Sequence, residues 1–154
     1  MKESPIDKKL RNRLGASKFS GEGFLGNDKR DLDGIIHDDL QILDENGIEK
    51  QTLVKLLQKA YDKVRNGLGT KVKLCDGVYG EFYESMGRVP SPFRGDGVFE
   101  KGEAVVIDEA SNEKLIITSL AINLIQKHDF FQGKGSRYRI EPLTAYKILK
   151  KMIE

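Results

Sequence analysis

Cysteine occurs once among the 154 residues, at Cys75, and tryptophan is missing. One cysteine excludes an intramolecular disulfide and fits a reducing compartment. Histidine is nearly as scarce: His37 and His128 stand 91 residues apart, which is not a metal-ligand spacing, and DKRDLDG at 28–34 is out of register with an EF-hand loop. Neither a metal nor a cofactor is expected. Long apolar runs are also missing. The longest, LIITSLAINLI from Leu115 to Ile125, has eleven residues and includes Thr118, Ser119 and Asn123, whereas a bilayer span takes about 20. The N-terminal MKESPIDKKLRNRLG carries charge with no apolar stretch behind it, so a cytoplasmic protein with no membrane partner is expected.

What is present describes a soluble globular chain: 38% hydrophobic and 32% charged residues. Its length suits one domain that buries roughly two thirds of its unfolded surface. The net charge of +2 is uneven: residues 1–30 hold eight Lys or Arg against four acids, residues 126–154 hold seven against three, and residues 31–49 hold seven acids and no Lys or Arg. Basic ends and an acidic band can complement one another within the molecule, or the basic part can face an anionic partner.

Residues 1–27 show no sustained period, and SGEGFLGND crowds three glycines into six positions, so an irregular arm is expected there and a single α+β domain over 28–154. Leu32, Ile35, Ile36, Leu40 and Leu43 recur at helical spacing after the cap candidates Asn27 and Asp28, and stop at Asn46-Gly47. Leu53, Leu56, Leu57, Ala60, Tyr61 and Val64 mark a second helix, forming an N-terminal helical hairpin with the first. Val72 and Leu74, the turn Asp76-Gly77 and VYGEFYES then read as a strand hairpin, and 103–108 with 114–117 as another. Between the pairs, MGRVPSPFRGDGVFEKGE is expected to be irregular because of Pro90, Pro92 and its four glycines. Thr118 or Ser119 can cap a third helix ending near His128, and Pro142 suits the first turn of a fourth. The expectation is an α+β fold: a helical hairpin, a mainly antiparallel sheet of about four strands and two C-terminal helices on one face.

HDFFQGKGSRYRIEP, from His128 to Pro142, concentrates the most chemistry. It is not a P-loop, because Lys134 is followed by Gly135 and no glycine precedes at the required spacing. A simpler anion site remains: Lys134, Arg137 and Arg139 supply charge, Gly133 and Gly135 expose backbone N–H groups, and Gln132 reads a polar edge. In an extended segment Arg137 and Arg139 share a face. The structural alternative makes the glycines stop and turn residues, Phe130 and Phe131 core anchors, and the arginines partners of the acidic first helix. Arg88 and Arg94 of the proline-rich loop are candidates for the same site, with His128 at its edge. His128 also reads as a histidine satisfied by a local carbonyl, while His128 or Glu22 acting as acid or base would make the protein an enzyme. Ser20, Ser91 and Ser136 are conceivable nucleophiles outside any nucleophile-elbow motif. Cys75 alternates onto the face of Lys71 and Lys73, which would lower its pKa. Tyr79 and Tyr83 beside those lysines suggest base stacking, although packing under the helices accounts for them more simply.

The blocks FSGEGFLGND, GRVPSPF, VFEKGE and HDFFQGKGSRYRIEP together resemble a family of uncharacterised bacterial cytosolic proteins carrying the same blocks in the same order. The resemblance implies a single bacterial domain and brings no activity. The functional expectation is a small cytoplasmic binding protein for an anionic ligand, either a phosphorylated metabolite, a nucleotide or a nucleic acid. It would be recognised by His128, Gln132, Lys134, Arg137, Arg139, Arg88 and Arg94. An enzyme and an interaction protein without a pocket are the alternatives, and the oligomeric state stays open.

Overall fold

The computed structural model describes residues 23–153, so Ser20, Glu22 and most of the expected arm lie outside the described residues. Among the described residues, four α-helices accompany a four-stranded antiparallel sheet and a two-stranded ribbon, an α+β architecture.

Helix α1 (Leu32–Glu45) starts where the Asp31 carboxylate accepts the Gly34 N–H at 2.7 Å, filling one of the donors a helix start leaves open. Asp28, one of the expected caps, is occupied instead by Arg30. Helix α2 (Lys50–Arg65) buries Leu53, Leu57, Ala60, Tyr61 and Val64 along one stripe. The two helices follow each other through Asn46–Glu49; α2 packs on the sheet and on both helices near the C-terminus, and α1 packs on the last of those helices.

The strands are β1 (Val72–Cys75), β2 (Val78–Tyr83), β3 (Arg88–Pro90), β4 (Val98–Glu100), β5 (Glu103–Asp108) and β6 (Glu113–Ile117). The main sheet has the order β1-β2-β5-β6, antiparallel throughout. Alternation puts Val78, Phe82, Ala104, Val106, Leu115 and Ile117 into the core. Gly80 lets α2 approach closely, since a Cβ there would stand 2.4 Å from Val64 Cγ2.

The segment expected to be irregular contains β3 and β4, paired Arg88 to Glu100, Val89 to Phe99 and Pro90 to Val98. Pro90 is tolerated because it closes a strand of a ribbon only two strands wide, where a missing N–H interrupts no ladder.

Helix α3 (Ser119–His128) is capped by Thr118, whose hydroxyl accepts the Ala121 N–H at 3.0 Å. It ends at Asp129 in the left-handed region, φ 55°, so the stop comes before the glycines that the sequence suggested for it. Helix α4 (Pro142–Leu149) begins with its proline at the first position and runs into a 3-10 turn, Lys150–Met152. α4 is the helix on which α1 rests. Among the described residues no helix is long and apolar enough to cross a membrane.

Candidate functional site

Two loops distant in sequence are laid against each other in the region of the glycines. Gly133 N–H donates to Phe24 O at 2.8 Å, Asn27 N–H to Lys134 O at 3.0 Å and Lys134 N–H to the Asp28 carboxylate at 3.0 Å. A Cβ on residue 133 would stand 2.2 Å from Leu25 O, and one on residue 135 would stand 2.5 Å from Asn27 Oδ1. Close backbone approach is therefore what requires Gly133, while Gly135 combines a φ of 89° with the Asn27 side chain against it. The expectation that Gly133 exposes its N–H to an anion is corrected, because Phe24 O already accepts it.

The basic residues separate. Ser136 to Arg139 form a turn, Arg139 N–H donating to Ser136 O at 3.2 Å, so Arg137 and Arg139 do not share the face of an extended segment. The Arg139 side chain is buried and grips Asp39 of α1 with both terminal nitrogens, at 2.9 and 2.8 Å. It also donates to Glu141 and to the Gln132 carbonyl. Arg137 is exposed and reaches Glu103 at 2.9 Å. Lys134, Arg88 and Arg94 are exposed, Arg88 across the ribbon from Glu100.

His128 is satisfied by a carboxylate, not by a local carbonyl. Its Nε2 lies 2.8 Å from Asp96 Oδ2, and the same oxygen accepts from Asn123 Nδ2 at 2.8 Å and from Ser91 Oγ at 2.9 Å. Phe93 stacks on the imidazole with ring centroids 3.8 Å apart. The Ser91 hydroxyl donates to the carboxylate and does not touch the ring, so the order nucleophile, base, orienting acid is absent. The cluster ties the ribbon loop to α3.

Burial opposes ionisation of Asp96, yet hydrogen bonds from His128, Ser91 and Asn123 hold its carboxyl below the usual range. Arg30 does the same for Asp28 and Lys151 for Asp108. A carboxyl depressed in the folded state stabilises above its unfolded value, near pH 4, and that contribution is lost as pH falls through the folded value. The melting temperature is expected to fall as pH drops below about 4, and to fall less steeply in Asp96→Asn. Equal steepness in both proteins would contradict the role of Asp96.

A cavity of about 170 Å³ opens between the ribbon, the first turn of α3 and the glycine loop. Val89 comes from β3, Thr118 and Leu120 from the helix start, and Gln132 and Tyr138 from the loop. Phe24 closes an apolar side, while Glu100, Lys101 and Glu103 bring charge from the β4–β5 connection. The two loops singled out by sequence thus share one cavity wall, through Val89, Gln132 and Tyr138.

Gln132 is the unusual member. It is 2% exposed and holds φ 73°, a conformation that costs a side-chain-bearing residue on the order of 1 kcal/mol. Its Oε1 accepts from the buried Ser136 hydroxyl at 2.7 Å. Its Nε2 donates to no group among the described residues and is left accessible at the cavity wall; among those residues the buried side-chain polar atom without a partner is Ser119 Oγ, in the first turn of α3. Glu103 is held by Arg137 and by the Tyr138 hydroxyl at 2.9 Å, and Glu100 by Arg65 and the Tyr61 hydroxyl. Arg65, with Tyr61, holds Glu100 below the usual carboxylate range.

Two further expectations are corrected. Burial pushes the Cys75 thiol up, because a register shift between Lys73 and Cys75 turns it toward the core. Tyr79 and Tyr83 lie on the sheet face away from α2, with Lys71 Nζ 4.3 Å from the Tyr79 ring centre. Asp96 and Asn123 were not anticipated. Asn123 left a signal as a polar residue in an apolar helical run, whereas Asp96 in RGDG left none. Comparison with known protein families, curated proteins and solved structures finds no match to this chain.

Proposed function

We propose that this protein binds a small polar molecule in the cavity between the β3–β4 ribbon, the start of α3 and the glycine loop. The observation that carries this reading is Gln132: a buried side chain in a costly backbone conformation, with one end of its amide fixed by Ser136 and the other without a partner at the cavity wall. Backbone strain and a side-chain amide held at one end and open to a cavity at the other are features of ligand sites. The volume limits the ligand. About 170 Å³ is close to the ~150 Å³ of a cavity that accepts benzene and below the roughly 300–1,000 Å³ of sites for drug-sized molecules. A metabolite of six to ten heavy atoms, on the order of that benzene-sized cavity, fits inside, and a nucleotide would extend out through the opening.

The test is a thermal-shift screen of small polar metabolites on the wild type, on Gln132→Gly and on Val89→Phe. Glycine accepts the left-handed backbone while removing the amide, and phenylalanine fills the cavity from its half-exposed ribbon wall. Compounds that raise the wild-type melting temperature are expected to lose their effect in both variants. A compound that stabilises all three proteins equally would place its binding elsewhere and overturn the cavity reading.

A further inference from the structure

The charges around the cavity narrow the ligand further, on the premise that the cavity is the binding site. Among the described residues, the charged groups that line it are Glu100, Lys101 and Glu103, and each is already engaged. Arg65 and the Tyr61 hydroxyl hold Glu100, and Arg137 and the Tyr138 hydroxyl hold Glu103. Lys101 has an interaction of its own and is not free. The wall therefore keeps no charge in reserve. A charged ligand would have to displace one of these partners or leave its own charge desolvated without a counter-charge, and either costs binding free energy.

What the wall leaves open is neutral. Ser136 fixes the carbonyl end of the Gln132 amide, and the N–H end stays accessible to the space. Ser85, exposed at the same wall, adds a hydroxyl. Phe24, Val89 and Leu120 supply apolar surface. We infer that the cavity takes a small uncharged molecule with an acceptor oxygen on a short aliphatic body, of the carboxamide or alcohol type. Its oxygen accepts from the Gln132 amide, and its aliphatic part lies against Phe24, Val89 and Leu120. Size agrees: butyramide has about six heavy atoms, as benzene does, and a benzene-sized cavity holds such a solute.

Isothermal titration of the full chain with butyramide and 1-butanol, beside butyrate and butylamine as their charged counterparts, tests this directly. At least one of the neutral pair is expected to bind, and whether the amide or the alcohol binds more tightly tells the two types apart. Both charged compounds are expected to bind more weakly by about tenfold or more, the scale of one unmatched polar group. Gln132→Gly is expected to weaken the neutral ligand by a similar factor. Arg137→Ala, a change at an exposed side chain that uncovers Glu103, is expected to raise the affinity for butylamine about threefold, the scale of an exposed ion pair. Butyrate or butylamine binding as tightly as the neutral ligand would overturn the assignment while leaving the cavity reading intact. Absence of binding by both neutral compounds, or an unchanged butylamine affinity in Arg137→Ala, would overturn it as well. The cavity reading itself fails separately, if ligands from the broader screen are unaffected by Val89→Phe.

Discussion

Asp39→Ala is expected to lower folding stability by about 3–5 kcal/mol, the range found when one partner of a buried ion pair is removed. Asp39 is 1% exposed in its side chain and Arg139 6%, so the charge left behind cannot return to water without disturbing α1 or the loop. Arg139 retains Glu141 and the Gln132 carbonyl, at 2.7 and 2.6 Å, which favours the lower end of the range. Glu141 is the internal control. It contacts the same guanidinium but is 53% exposed, and solvent screening reduces such a pair to roughly 0–1 kcal/mol. Urea denaturation of Asp39→Ala and Glu141→Ala checks the contrast, and equal losses would show that burial is not what makes the Asp39 contact strong. The pair also matters to the cavity, because Arg139 fixes the backbone carbonyl of Gln132.

Phe130→Ala is expected to cost about 3–5 kcal/mol. The ring is fully buried in a cluster with Phe24, Leu25, Leu32, Ile35, Leu120 and Leu124, and Phe93 of the ribbon loop meets it edge-on at 6.1 Å between centroids. Truncation leaves a void where α1, α3 and the ribbon loop meet, and their separate backbones limit how far it can collapse. Met86→Ala, at 93% exposure, is expected to change stability by less than about 0.5 kcal/mol. Chemical denaturation with an unchanged m-value would attribute the Phe130 loss to the folded state, and a loss near that of Met86→Ala would contradict the packing described.

What could be read from sequence was local. Thr118 at the start of α3, Pro142 at the start of α4 and Asp76-Gly77 between β1 and β2 act through neighbours two or three residues away, and each stands where the residue pattern expects it. The features that define the candidate site are long-range. Arg139 finds Asp39 exactly 100 residues away, and from sequence alone it could equally have faced solvent. Gly133 and Gly135 invite comparison with a phosphate loop, and only the Leu25 backbone against Gly133, and the Asn27 side chain with a φ of 89° at Gly135, explain why neither can carry a side chain. Asp96 gains its place from Asn123 and His128, 27 and 32 residues further on, and nothing near it in the chain signals that role. Gln132 was legible as a polar reader, but its burial and left-handed backbone depend on Ser136 and Arg139 closing the turn.

The most direct measurement is a crystal structure of the full chain soaked with the compound that stabilises it most in the metabolite screen. Density for that compound is expected between Val89 and Thr118, within hydrogen-bond distance of the Gln132 side-chain amide. Density on the outer sheet face beside Tyr79 and Tyr83, with the Gln132 cavity occupied only by water, would contradict the account.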